Sequence, residues 1–406
     1  MSLRILWVSQ DFAPERGGVQ THGVQLVRAL AAAGHAVEVV APRAAGDREH
    51  DARMPGPVHR IAVPRDTMPL GCVPAVTRLL ARGRFDAVVC GQWNTASGAV
   101  IARARDHVAT LAIAAHGREL LWQPKLGVAA YDRFRRMIIG RADLVLAVSR
   151  FTAGLVAGVG VERSRIAVVP NGTNPAEFDD PLARTRASAL RLEHGAPLVV
   201  TVARLVARKG IDTVMRAMAR LRGPVDARYA VVGSGPDRAR LHALAQTLGI
   251  SSRMIWCEHA DDRERTAWLH AGDVFALVAR DEGHDVEGFG IVLLEAAACG
   301  KPVLAGRAGG MADAVVDGST GILCASTDVD EVTRRLQSLL DDPVGARAMG
   351  TAGRARVERE LTWTHAAAEI AERLAVASGH RSVTTSPHCV IAPPHGAPIL
   401  TNHRAD

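Results

Sequence analysis

The chain opens with a short apolar run at 4–9 (RILWVS) and a polar, glycine-bearing loop, QDFAPERGGVQTHG. The series VQLVRALAAAG follows, with apolar residues at helical spacing and Gly34 at its end, and then the run AVEVVAP. Apolar positions at a period of 3.6 closed by glycine predict a helix, and short continuous apolar runs between turn residues predict strands buried on both faces. Further runs come at 85–90 (FDAVVC), 109–117 (ATLAIAAHG), 142–149 (ADLVLAVS) and 165–172 (RIAVVPNG), alternating with helical patterns. Strands without polar alternation, separated by helices, predict a doubly wound parallel sheet. The pattern breaks at 179–197, DDPLARTRASALRLEHGAP, which is polar and holds no strand candidate. A second series then begins at 198–205 (LVVTVARL) and continues at 228–235, 253–258, 273–279, 301–306 and 321–324.

The expected fold class is therefore α/β, with two Rossmann-like doubly wound domains facing each other across a cleft. Residues 1–178 form the first domain, 179–196 the linker and 197–360 the second. A terminal helix at 361–378 packs back on the first domain, and the Pro- and His-bearing tail 379–406, without periodicity, is expected to be mobile. The length agrees, since 406 residues exceed what one hydrophobic core usually supports.

Composition narrows the functional classes. The chain is 48% hydrophobic, 22% charged and 4% aromatic, the profile of a globular α/β protein. So few aromatics, with no basic–aromatic motif, argue against nucleic acid as a partner. Net charge is +7, carried unevenly: residues 1–180 hold 22 Lys+Arg against 16 Asp+Glu, +6, and the remainder 27 against 26, +1. A positive first half suits a phosphorylated substrate or an acidic membrane surface, although an Arg-rich composition by itself produces the same figure. Six cysteines without CxxC spacing signal neither zinc nor a disulfide framework. The first apolar run is too short for a signal peptide, and no stretch reaches the roughly 18 apolar residues of a membrane span. A cytoplasmic protein able to touch the inner face of the membrane is expected.

Three loops suit anion binding at strand carboxyl ends, where backbone amides and helix N-termini face a ligand: GGVQ (17–20), GSGPDR (233–238) and EGFGIV (287–292). The last opens the helical run IVLLEAAACG, so the amides of Gly290 and Ile291 are expected to face a phosphate. Glu287 precedes that turn and can reach a sugar hydroxyl, while Glu295, one turn into the helix, can accept from a ribose diol. A helix-terminal charge at Glu287 and a partly buried ion pair at Glu295 account for the same spacing. In VARLVARKGID, Arg204 and Lys209 follow a strand and can clamp a diphosphate, although a lone basic pair is commonly solvated surface. His116 follows a strand where a core or loop histidine is equally at home. Asp328 and Asp330, in DVD, introduce a helical pattern and read as an N-cap, and no obligatory metal is expected. A serine hydrolase fails for lack of G-x-S-x-G, and a dinucleotide dehydrogenase for lack of G-x-G-x-x-G after the first strand.

Taken together, Gly17–Gly18, HGRE with His116 and Glu119, Arg204 with Lys209, and the pair Glu287 and Glu295 resemble the retaining glycosyltransferases of family four, which have the GT-B fold. AVSRFT, VVPNGTNPAEF, VVGSGPDRARL and VVDGSTGILC look like further segments of that family, and the resemblance runs from about Arg4 to Ala377. It implies transfer of a hexose, with retention, from a nucleotide sugar on the second domain to an acceptor hydroxyl on the first. Arg204 and Lys209 would then meet the leaving diphosphate, and Glu287 and His116 the transferred sugar. Gly17, Gly18, Glu119, Gly288, Phe289, Gly290, Ile291 and Glu295 would complete the donor site. The stretch around Glu287 looks most like GDP-mannose-dependent members, phosphatidylinositol mannosyltransferases among them, although UDP-hexose users share much of it. A lipid, lipid-linked saccharide or small-molecule acceptor is compatible. A nucleotide-sugar 2-epimerase shares the plan and differs in acting on donor alone. One departure stands out: after Gly309–Gly310 the family commonly shows Pro-Glu, where this chain has Ala312 and Asp313.

Overall fold

The computed structural model describes residues 2–103, 110–222 and 226–379; the tail beyond Gly379 and Cys389 within it lie outside them. Two parallel sheets follow each other along the chain. The first has seven strands: β1 (Arg4–Val8), β2 (Ala36–Pro42), β3 (Val58–Ile61), β4 (Ala87–Cys90), β5 (Thr110–Ala115), β6 (Leu144–Ala147) and β7 (Ile166–Val168), in the order β3-β2-β1-β4-β5-β6-β7. The second has six: β8 (Leu198–Val202), β9 (Arg228–Val232), β10 (Met254–Cys257), β11 (Val274–Leu277), β12 (Val303–Gly306) and β13 (Gly321–Cys324), in the order β10-β9-β8-β11-β12-β13.

The two-residue period of a strand sends alternate side chains to opposite faces, so an all-apolar strand serves two cores. Leu6 and Val8 pack beneath the helices Val73–Arg82 and Val128–Ile139, while Ile5 and Trp7 face the helices Gly18–Ala32 and Trp363–Ala377. In the second sheet Val200 and Val202 meet the helices Asp262–Ala271 and Ile291–Ala298, and Val199 meets Ile211–Met218 and Val329–Asp341. Strand order reverses direction beside β1 in one sheet and β8 in the other, which places the switch points of both sheets, and the loops of residues 9–20 and 203–210, at their carboxyl edges.

Two elements differ from the expectation. Residues Pro181–His194 form a helix capped by the Asp180 carboxylate at one end and by Gly195 at the other. Its apolar stripe is only Ala183, Ala187 and Leu190, enough to bury it against the helix Asp262–Ala271 but too sparse to mark a periodic run. Strand β3, VHRI, pairs with β2 at the sheet edge and is half-buried throughout, and His59 and Arg60 break the apolar run that would announce it. Asp328 caps its helix by accepting from the Glu331 amide, as the sequence suggests. The last helix, Trp363–Ala377, lies against Gly18–Ala32, and the chain reaches it where Thr173 N–H donates to Leu361 carbonyl at 2.9 Å.

Candidate active site

The carboxyl edges of the two sheets meet at several points, among them an ion pair between Arg150 and Asp313, a second between Arg118 and Asp285, and a close backbone approach at Gly288. The Arg150 amide and guanidinium, at the start of the helix Arg150–Gly158, both donate to the Asp313 carboxylate. Arg118 faces Asp285 at 3.5 Å. Gly288 lies so close to the His116 carbonyl that a Cβ there would sit 1.9 Å from the oxygen, a distance only glycine escapes. The departure at Asp313 thus has a structural counterpart: its shorter carboxylate grips the first domain.

On the second domain, residues 204–210 lie against the loop that carries Glu287. Lys209 Nζ and Arg208 Nη1 both stand 2.5 Å from Glu287 Oε2, and Arg208 Nε is 3.1 Å from Asp285. Burial by itself would push the Glu287 carboxyl up. The Lys209 and Arg208 charges overcome it and hold the group down at about 2, so it is an anion that accepts hydrogen bonds and has no proton to give. Arg204 is exposed and has no side-chain partner among the described residues.

After Glu287 the chain turns through Gly288 and Phe289 to Gly290, whose φ of 89° begins the helix Ile291–Ala298. The backbone amides of residues 289–292 have no acceptor among the described residues, whereas the Phe289 ring is 2% exposed and belongs to the core. The Glu287 carbonyl accepts from Gly310 N–H at 2.9 Å, which pins the turn. A row of free amides at a helix N-terminus is suited to an anion. Glu295, 8% exposed, has Arg265 at 3.9 Å; burial raises its carboxyl above the usual range, against the pull of Arg265.

On the first domain, His116 Nε2 donates to the Gly91 carbonyl at 2.9 Å, which fixes the proton on that nitrogen and leaves Nδ1 as the free one. Glu119 accepts from the amides of His116 at 2.6 Å and Gly117 at 3.4 Å, so its carboxylate builds the turn that presents His116. His22 lies edge-on to the His116 ring at 4.7 Å, bonded through Nδ1 to Asn171 at 2.7 Å. Burial, reinforced by the neighbouring His116, lowers His22 to about 3 and keeps it neutral. Gly17 and Gly18 open the helix Gly18–Ala32 from an exposed loop. Beside them the Asp11 carboxylate accepts from Gln92 at 2.6 Å and from Arg65, and Asn94 donates to Gln10 at 2.7 Å. Gln92 Oε1 and Asn94 Oδ1 are buried without a partner among the described residues.

The structure therefore brings Lys209, Glu287 and the amides after it together, and brings His116 to their edge by way of Gly288. Sequence reasoning missed Arg208, whose only signal was its place beside Lys209, and it missed His22, Arg150 and Arg118, whose partners are remote in sequence. Among the described residues no group of three or more His, Cys, Asp or Glu side chains converges as a metal site.

Two parallel Rossmann-like sheets with nucleotide-suited loops facing across their carboxyl edges define the GT-B class of glycosyltransferases. HepE from Anabaena, in a crystal structure with UDP, superimposes with a TM-score of 0.76 over 92% of this chain and 100% of its own, at 20% identity. Residues 16–177 match the family described as Glycosyltransferase Family 4, and residues 185–356 the one described as Glycosyl transferases group 1. A GDP-mannose-dependent alpha-(1-6)-phosphatidylinositol monomannoside mannosyltransferase of Mycolicibacterium smegmatis is 36% identical over 389 residues, covering 93% of this chain and 99% of that protein. The protein of the same description from Mycobacterium tuberculosis is 34% identical over 381 residues, covering 91% and 98%. The chain belongs to the family 4 glycosyltransferases and is a hexosyltransferase.

Proposed function

We propose that the protein transfers mannose from GDP-mannose, with retention at the anomeric carbon, to a hydroxyl of a membrane lipid of the phosphatidylinositol mannoside kind. The donor and acceptor rest on the 36% identity, over nearly the full length of both chains, to an enzyme named for that reaction. The observation in the structure that carries the mechanism is the Glu287 carboxylate, ionised and held by two cations, beside a row of amides without acceptors.

In this reading the diphosphate lies on the amides of residues 289–292 with Arg204 and Lys209 about it. As the bond between the anomeric carbon and the diphosphate oxygen breaks, charge grows on that oxygen, and in this reading these groups receive it, the kind of preorganised stabilisation that contributes most to charge-separating catalysis. Glu287, being fully ionised, accepts from sugar hydroxyls and faces the positive charge developing on the ring. The acceptor oxygen bonds to the carbon from the face the diphosphate leaves, and its proton passes to the departing phosphate oxygen, so no side chain serves as base. His116 orients the sugar from the first domain with Nδ1, and Glu295 holds the ribose. Gln92 and Asn94, with unmet acceptor atoms, suit the hydroxyls of a polyol headgroup.

The test is transfer from GDP-mannose and, separately, from UDP-glucose to a phosphatidylinositol monomannoside, with the product's anomeric configuration read by NMR. A mannosylated lipid with an α linkage is expected. Transfer from UDP-glucose alone, or epimerisation of the donor without acceptor, would overturn the reading.

A further inference from the structure

The helix Val128–Ile139 buries Arg135, Ile138 and Ile139 and turns a second, unusual face outward. On and just before that face Leu126 is 88% exposed, Met137 51% and Trp122 45%, with Val128 and Phe134 exposed beside them. Isolated exposed apolar residues are ordinary, but five within one turn and one helix are not. Interleaved with them are Lys125, Arg133 and Arg136, exposed and without a carboxylate partner among the described residues. Residues 118–141 hold six basic side chains against two acidic, a net +4 within the more basic part of the chain.

We propose that this face docks on an anionic lipid bilayer, with Trp122, Leu126, Phe134 and Met137 entering the headgroup–acyl boundary while Lys125, Arg133 and Arg136 meet lipid phosphates. Apolar residues alternating with basic ones on one helix face are the composition of an interfacial helix, since long basic side chains keep their charges at the surface while their stems follow the apolar residues inward. Charge decides between occupants. A second copy would bring six unpaired cations face to face, whereas an anionic surface neutralises all three on this chain.

The face also leads to the active site. Trp122 packs edge-on against Tyr131 at 5.3 Å, Tyr131 against Trp93 at 5.5 Å, and Trp93 against Phe134 at 6.2 Å. Trp93 Nε1 donates to the Glu119 carbonyl at 3.1 Å, in the turn that presents His116, and its chain neighbours Gln92 and Asn94 carry the unmet acceptor atoms. A lipid held in the bilayer at this face would thus offer its headgroup to the first domain without leaving the membrane. That consequence rests on the lipid-acceptor reading above; the docking itself does not.

The experiment is sedimentation of the full chain with vesicles of phosphatidylcholine alone and of equal parts phosphatidylcholine and phosphatidylglycerol. Binding to the anionic vesicles is expected, weakening with salt. Arg133→Gln with Arg136→Gln should lower it by about fivefold per charge, and Leu126→Ser with Met137→Ser by about tenfold or more. Both pairs should melt like the parent and keep their rate on a soluble, deacylated acceptor. Parent-like vesicle binding by both pairs would overturn the proposal, as would a dimer of the parent that Leu126→Ser with Met137→Ser splits. Loss of vesicle binding in these variants, from a parent that mannosylates only soluble acceptors, would uphold the docking face and overturn the lipid-acceptor reading.

Discussion

Replacing Glu287 with Gln keeps the side chain's shape and removes its charge from between two cations. Lys209 and Arg208 are 12% and 19% exposed in their side chains and Glu287 is 13% exposed, so water screens the group weakly. The carboxyl sits at about 2 where its ordinary value is 4.5. A carboxylate lowered on folding adds stability that is complete above the unfolded value and is lost as pH falls toward the folded one. At about 1.4 kcal/mol per pH unit, the displacement corresponds to about 3 kcal/mol at neutral pH. Removing one partner from a buried ion pair, at about 3–5 kcal/mol, has the same magnitude. Glu287→Gln should therefore destabilise the second domain by about 3 kcal/mol, lowering its melting temperature by about 6–12 °C. Urea unfolding followed by tryptophan fluorescence, to which Trp256 and Trp268 of the second domain contribute, and by circular dichroism reads the difference. It should be flat from about pH 8 to about pH 5 and shrink only below about pH 4.5. A loss under about 1 kcal/mol at neutral pH, or a difference that drifts between about pH 8 and pH 5, would refute the reasoning. At permissive temperature the variant should turn over slowly yet bind GDP within a few-fold of the parent.

Arg204→Ala and Lys209→Ala should each cut turnover by roughly 100-fold, the loss of one preorganised charge partner, with the fold retained by circular dichroism; unchanged kinetics in both would remove them from the diphosphate site. Glu295→Gln should weaken GDP binding by roughly 10- to 150-fold in calorimetry, the worth of a charged hydrogen bond. Because burial raises the Glu295 carboxyl, the parent's GDP affinity should begin to fall with acid at a higher pH than an ordinary carboxylate would dictate, and that limb should vanish in Glu295→Gln. Transfer should continue in excess chelator, and a loss that magnesium or manganese restores would show that a metal takes part.

The local periodicity of the chain was enough to determine both parallel sheets, because a strand buried on two faces is predominantly apolar, and twelve predominantly apolar runs stand out between helical patterns, the half-buried edge strands β7 and β10 among them. It was not enough for β3, a half-buried edge strand in which His59 and Arg60 break the apolar run, or for the helix Pro181–His194, which needs only two alanines and a leucine to seat it. The segment from Glu287 to Glu295 was legible because a turn and the helix it opens are local in sequence. Tertiary structure alone decided what surrounds Glu287. Arg208 and Lys209 lie 79 and 78 positions away in sequence, and only the folding of the 204–210 loop onto that turn fixes a carboxylate between two cations. The same holds for Asp313, 163 positions from Arg150, and for His22, 149 positions from Asn171. Periodicity reports which way a residue faces within its own element; which charge meets it from another element depends on how the elements pack, and that is set by the shapes of the buried faces rather than by any local pattern.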